Sequence, residues 1–231
     1  MSVIFITRFS VPVSYSDTSK NVFQLSKNNG EEEYLIKLFS KERLEGKMKY
    51  FRQLCFPSIT NQTNTNWKWF IFISHFLPEE YILELEKMIE PFQGKIILHF
   101  VANITDFKNL SKTLLKDERQ PFITSRIDDD DGISDIFVEE ILKYSFLSNH
   151  VINFVKGQET FLKNDKIEFG KKIQYYNNSV GLSVVNENIF SLGSHVKIHE
   201  KNHVIYNTSP SMFFLTHDEI FCDTHRKKVK N

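Results

Sequence analysis

Four short apolar segments, Val3–Thr7, Trp67–Ser74, Ile96–Ala102 and Phe122–Ile127, recur through the first half of this chain. Each is dense in β-branched or aromatic side chains and too short to stand alone as a helix, as expected of strands buried on both faces. Helical patterns fill the gaps between them. Leu44, Met48, Phe51 and Cys55 follow the i, i+4, i+7, i+11 spacing of one helix face, and Pro57 is expected to close that run. Pro78, with Glu79 and Glu80 in the first turn, opens a second stripe of Ile82, Leu85, Met88, Ile89 and Phe92. A third helix is expected over Asp106–Lys116. Strands alternating with helices of this length predict an α/β fold: a doubly wound, mostly parallel sheet with helices on both faces. In such sheets ligands bind beyond the C-terminal ends of the strands. Thr7 and Arg8 end the first strand and Ser74 and His75 the second, so all four are expected in that crevice.

The pattern changes later in the chain. Ile133, Ile136, Phe137, Ile141 and Tyr144 make another amphipathic helix, with Asp131 or Ser134 able to cap its start. Val151–Val155, Lys171–Tyr176 and Val180–Val185 read as strands, with turn chemistry at Gly157, Gly170 and Asn177–Asn178. Asn186–Asn207 reads as loop-rich and carries His195, His199 and His203, whose spacing does not match a zinc site. The C-terminal part is therefore expected to be mixed. Ser10–Gly30 is polar and irregular, suited to a flexible loop or lid.

Length and charge narrow the partners. The 231 residues suffice for one large domain with a sizeable core. Lys and Arg number 29 and so do Asp and Glu, so no broad field favours nucleic acid or an anionic membrane. Two cysteines, Cys55 and Cys222, cannot build a disulfide framework, which suits a reducing, cytoplasmic setting. Val3–Ile6 lacks the basic lead-in of a signal peptide, and no apolar run approaches the roughly 18 residues of a membrane span. The basic tail Arg226–Lys228 allows at most peripheral contact with the inner face of a membrane.

Four adjacent aspartates, Asp128–Asp131, follow the fourth apolar segment and precede a glycine, Gly132. Their mutual repulsion calls for a positive partner, and a helix N-terminus supplies only about 0.3–1 kcal/mol per charge. A hard cation, Mg²⁺ or Mn²⁺, would supply far more, completing its shell with water and substrate phosphate. In extended backbone Asp128 and Asp130 would face one side and Asp129 and Asp131 the other. The rival reading is a solvated acidic turn.

The segment Ser-Arg-Ile-Asp-Asp-Asp-Asp-Gly-Ile (Ser125–Ile133) resembles the Asp-x-Asp region of GT-A glycosyltransferases, and more narrowly that of a rhamnosyl transferase family with an Arg-(Leu/Ile)-Asp-Asp-Asp-Asp stretch. Ile6–Phe9, Arg52 with Leu54–Thr63, and Trp67–Ile71 resemble other parts of that family in the same order. The resemblance implies a single GT-A-like domain over 1–231, with a nucleotide-binding half at 1–132 and an acceptor-side half at 133–231. It implies transfer of a sugar, rhamnose by family, from a nucleoside diphosphate sugar to a saccharide acceptor with inversion. Asp130 would hold the metal, Asp128 the ribose or the metal shell, and the overlapping triplet Asp129–Asp131 leaves the register open by one residue. Asp129, Thr7, Arg8, Arg52 and Arg126 would position the nucleotide. Phe213–Glu219 looks like the segment that adds a C-terminal histidine to the metal, which nominates His217.

Inversion also needs a carboxylate base. Glu187 and Asp218 are the candidates, with Glu159, Asp165 and Glu168 behind them. Two other functions use the same residues: metal-dependent attack on phosphorus, as in a phosphohydrolase or nucleotidyltransferase, and a non-catalytic nucleotide- or carbohydrate-binding module.

Overall fold

A computed structural model describes residues 1–13, 30–148, 150–193, 195–200, 202–209 and 212–216. Most of the expected lid, residues 14–29, lies outside the described residues, as do His217, Asp218 and the basic tail. The apolar segments of the first half become β1 (Ser2–Phe9), β2 (Trp67–Ser74), β3 (Ile96–Val101) and β4 (Phe122–Arg126). The helices between them are α1 (Glu31–Leu38), α2 (Lys41–Tyr50), α3 (Phe56–Thr60), α4 (Glu79–Ile89) and α5 (Ile104–Lys116). Beyond β4 come β5 (Gly132–Ile133), α6 (Phe137–Leu142), β6 (His150–Phe154), β7 (Lys156–Lys163), β8 (Lys166–Gln174), β9 (Leu182–Val185), β10 (His203–Asn207) and β11 (Phe213–Thr216).

Seven strands form the main sheet in the order β10-β6-β9-β4-β1-β2-β3. All its pairings are parallel except those of β9, which runs antiparallel to β4 and to β6. Period-two alternation splits the core between the two faces. Val3, Phe5 and Phe9 of β1 pack with Leu44, Met48, Leu85 and Phe137 of α2, α4 and α6. Ile4 and Ile6 face the other way, onto Tyr34, Leu38 and Phe107 of α1 and α5. Helices thus cover both faces, as the alternation requires. Trp67 and Trp69 are buried as strand packing.

Several local expectations fail for identifiable reasons. Pro57 does not close the second helix. Phe51–Cys55 forms a π-turn in which the Phe56 N–H reaches the Phe51 carbonyl, and Pro57 then sits in the first turn of α3, where its missing N–H costs nothing. Neither Asp131 nor Ser134 caps α6, which starts after Ile136 without a side-chain cap. Gly157 and Gly170 lie inside β7 and β8, not in turns. A Cβ on Gly157 would come within 2.4 Å of the Phe213 carbonyl and ring, so glycine lets β7 and β11 approach. The hairpin turn falls instead at Asn164 and Asp165, both with positive φ. The region expected as loop contains β10, parallel to β6.

A second sheet, β5-β11-β7-β8, lies behind the acid segment. The Tyr50 hydroxyl of α2 accepts the Leu162 N–H of β7 (2.8 Å), tying the two sheets through one helix. No helix among the described residues is long and apolar enough to cross a membrane.

Candidate active site

β4 delivers Asp128–Asp131 to the C-terminal edge of the main sheet. There the chain turns, with the Asp131 N–H donating to the Asp128 carbonyl (3.2 Å). The turn breaks the alternation expected of extended backbone. Asp129 and Asp130 go together onto one ammonium: Lys47 Nζ lies 2.7 Å from Asp129 Oδ1 and 3.1 Å from Asp130 Oδ2, with all three side chains about 5% exposed. Asp128 turns back onto Arg126, which donates from Nε (3.1 Å) and Nη2 (2.9 Å), while the Ser179 hydroxyl donates at 3.3 Å. Asp131 is drawn inward to accept the Thr216 N–H of β11 (2.8 Å), and the Thr216 hydroxyl donates to the Asp130 carbonyl. Cys55 is a core residue whose thiol donates to the Asp128 carbonyl at 3.6 Å. Burial, with the four aspartates behind it, pushes that thiol well above its usual pKa.

Arg8 joins the group from the end of β1. Its guanidinium lies 5.2 Å from the centre of the Phe190 ring, as does that of Arg126, so one aromatic ring stacks with both arginines. Arg8, Arg126, Asp128, Asp129 and Asp130 are therefore brought together.

Other nominated residues go elsewhere. Thr7 is fully buried and its hydroxyl accepts the Trp69 indole N–H (2.9 Å), because odd-numbered positions of β1 face the side covered by α2, α4 and α6. Arg52 pairs with Glu84 of α4 at 3.0 Å rather than with the acid turn. Glu187 follows β9, whose antiparallel course brings the chain out beside Phe122 and Thr124. Its exposed carboxylate accepts from the Ser191 hydroxyl (3.2 Å). Glu159, Asp165 and Glu168 pair with Lys171, Lys49 and Lys163 along the β7–β8 hairpin. His75 is exposed and stacks on Phe100, while Ser74 is buried.

A family model described as "Putative rhamnosyl transferase" matches residues 2–231. The chain belongs to this rhamnosyl transferase family. No curated protein sequence matches it at a significant level. Among solved structures it is similar to S. aureus TarS 1–349 in complex with UDP, with a TM-score of 0.54, 10% identity, and coverage of 94% of this chain and 61% of that one. It is similar also to GalNAc-T7 with UDP, GalNAc and Mn²⁺, with a TM-score of 0.52, 8% identity, and coverage of 99% and 45%. The chain thus spans less than two thirds of the length of either structure. At this identity the likeness carries the fold, which is that of GT-A glycosyltransferases.

Within this family member the fit of a divalent cation turns on the donor set. Carboxylate oxygens are the ligands Mg²⁺ and Mn²⁺ take. Among the described residues, however, no three such side chains converge as a preformed metal site. Asp128 is engaged by Arg126, and Lys47 holds one oxygen of Asp130. The arrangement fits a cation held by one carboxylate and completed by diphosphate and water, not an all-protein cage.

Lys47, Ser179 and Phe190 escape a reading based on motifs and apolar periodicity. Lys47 alone left a sequence signal. Arg43, Lys47, Tyr50 and Leu54 share one helical face and all four are buried, so that face carries two cations that need polar partners.

Charge pairing also sets a pH dependence. Burial alone would raise the Asp128 carboxyl, but the Arg126 and Arg8 guanidinia, the Arg126 hydrogen bonds and nearby His195 hold it well below the usual carboxylate range. Its folded pKa is depressed, so its stabilisation is present above the unfolded value of about 3.9 and lost as pH falls below it. Chemical denaturation at pH 7, 4 and 3 should show a steeper acid loss in the native protein than in Asp128→Asn. Superimposable acid limbs would contradict the pairing.

Proposed function

We propose that the chain is a glycosyltransferase moving a sugar, rhamnose, from a nucleoside diphosphate donor to a saccharide acceptor with inversion. The observation that carries this reading is the convergence of Arg8, Arg126 and the acid turn beyond the C-terminal ends of β1 and β4, where sheets of this kind bind ligands. Family membership supports glycosyl transfer and supplies rhamnose. The UDP in TarS and GalNAc-T7, and the Mn²⁺ in the latter, support a nucleotide donor and a divalent cation.

In this reading residues 1–132 hold the donor and residues 133–231 the acceptor. Arg8 and Arg126, pre-oriented on Phe190, meet the diphosphate charge, and a planar guanidinium suits phosphate oxygens. Asp128 fixes Arg126. Asp130 would hold Mn²⁺ or Mg²⁺, with His217 as the further protein ligand one residue beyond Thr216. A bound divalent cation supplies charge stabilisation of the leaving diphosphate. Asp218 is the proposed base for the acceptor hydroxyl, the Glu187 carboxylate being engaged by the Ser191 hydroxyl.

The test is incubation with a panel of sugar nucleotides and Mn²⁺. Release of intact nucleoside diphosphate, greatest with a rhamnose donor, is the expected result. Nucleoside monophosphate with sugar phosphate would mean attack on phosphorus and overturn the reading. Nucleotide binding without turnover for any acceptor would reduce the chain to a binding module.

A further inference from the structure

The geometry points to a saccharide acceptor subsite at the β6–β10 end of the same crevice, built from Tyr176, Asn177, His199 and Tyr206. This assignment rests on the glycosyltransferase reading and gives its acceptor a place.

Strand direction comes first. β9 is antiparallel to both β4 and β6, and β10 is parallel to β6, so β4, β6 and β10 all point the same way. Residues at the end of β10 therefore share an edge of the sheet with Asp128. Tyr206 is the penultimate residue of β10, and Tyr176 and Asn177 lie in the connection that enters β9 from that edge. Two residues beyond Asn177, the Ser179 hydroxyl donates to Asp128 itself. The subsite and the acid turn are joined by one short, hydrogen-bonded stretch of chain.

The cluster's composition suits a polyol. Tyr176 and Tyr206 are 50% and 37% exposed, with ring centroids 5.2 Å apart in a T-shaped pair. The Tyr206 hydroxyl donates to Asn177 Oδ1 (2.7 Å), Asn177 Nδ2 lies 3.4 Å from His199 Nδ1, and Gln174 Nε2 donates to the Tyr176 hydroxyl (2.7 Å). Asn177 is held with φ of 56°, its N–H on Asn153 Oδ1. A sugar ring presents C–H faces that pack on aromatic rings and hydroxyls that both donate and accept. Phenols, an amide and an imidazole match that pattern. The donor end of the crevice, by contrast, is lined by guanidinium and carboxylate groups. A phosphate would go there, and a neutral saccharide to the tyrosines.

Saturation-transfer NMR with a panel of methyl hexosides, including methyl α-L-rhamnoside, tests the assignment, alongside calorimetry with UDP, dTDP and GDP in Mn²⁺. At least one methyl hexoside is expected to bind the native protein. Its affinity should fall about tenfold or more in Tyr176→Ala and Tyr206→Ala, and less in Tyr206→Phe, which keeps the ring. Nucleoside diphosphate affinity should stay within about twofold in the same variants, as expected of separate sites. Absence of methyl hexoside binding to the native protein, or binding unchanged in both alanine variants, overturns the subsite. If Tyr206→Ala fails to fold, Tyr176→Ala and Tyr206→Phe still decide. Absence of nucleoside diphosphate binding to the native protein would instead defeat the glycosyltransferase reading, so the two failures are distinguishable.

Discussion

Lys47→Met is expected to destabilise the protein by about 3–5 kcal/mol, the usual effect of removing one partner from a buried ion pair. Lys47 reaches the acid turn from α2, and its ammonium is shared by two carboxylates as buried as itself. Methionine keeps the unbranched stem, one atom shorter, and its packing on α2, so the loss reports charge more than volume. Without the ammonium, Asp129 and Asp130 are left facing each other in a region where Asp128 and Asp131 add further negative charge. At about 2–4 °C per kcal/mol for a chain of this size, the melting temperature should fall by about 6–20 °C. Adding Asp129→Asn to Lys47→Met should recover part of the loss, because it removes the carboxylate nearest the missing ammonium. Urea denaturation of the two variants checks this. A loss below about 1 kcal/mol in the single variant, or no recovery in the double, would mean that Lys47 does not balance the acid turn.

The same lysine marks where reading the sequence stops. The first four strands and the helices α2, α4 and α5 were legible because each β-branched run is local and its alternation with helices admits few topologies. The acid turn was legible as an unsolved charge problem, and a metal was the obvious answer. A lysine 82 residues earlier supplies part of that answer. Apolar periodicity passes over such a residue, although its position on the buried face of α2 called for an anion. Glu187 shows a different gap. Hydrophobic pattern identifies β9 as a strand but not its direction, and direction decides where the chain emerges. Gly157 shows a third, since the approach of Phe213 that requires a glycine there is a contact between distant segments.

Asp130→Asn is expected to reverse the profile of Lys47→Met, leaving the fold nearly intact while lowering sugar transfer by about 10²–10³-fold, the scale of removing one preorganised electrostatic group. The amide is isosteric, Asp129 keeps its 2.7 Å contact with Lys47, and the Thr216 hydroxyl bond goes to the Asp130 backbone, which the substitution does not touch. Stability should therefore fall by no more than about 1–2 kcal/mol. What is lost is the negative charge that would hold a divalent cation against the diphosphate. Asp129→Asn is the informative control, because the shorter contact to Lys47 assigns Asp129 to balancing that ammonium. It should lower transfer by less than about tenfold, because its carboxylate is engaged by Lys47 and the amide that replaces it can still accept from that ammonium. Initial rates of nucleoside diphosphate release from a rhamnose donor in Mn²⁺, with melting temperatures measured on the same preparations, separate the two aspartates. Transfer within threefold of the native rate in Asp130→Asn would remove Asp130 from the chemistry. A larger loss in Asp129→Asn would move the metal-binding register by one residue, onto the overlapping Asp129–Asp131 triplet.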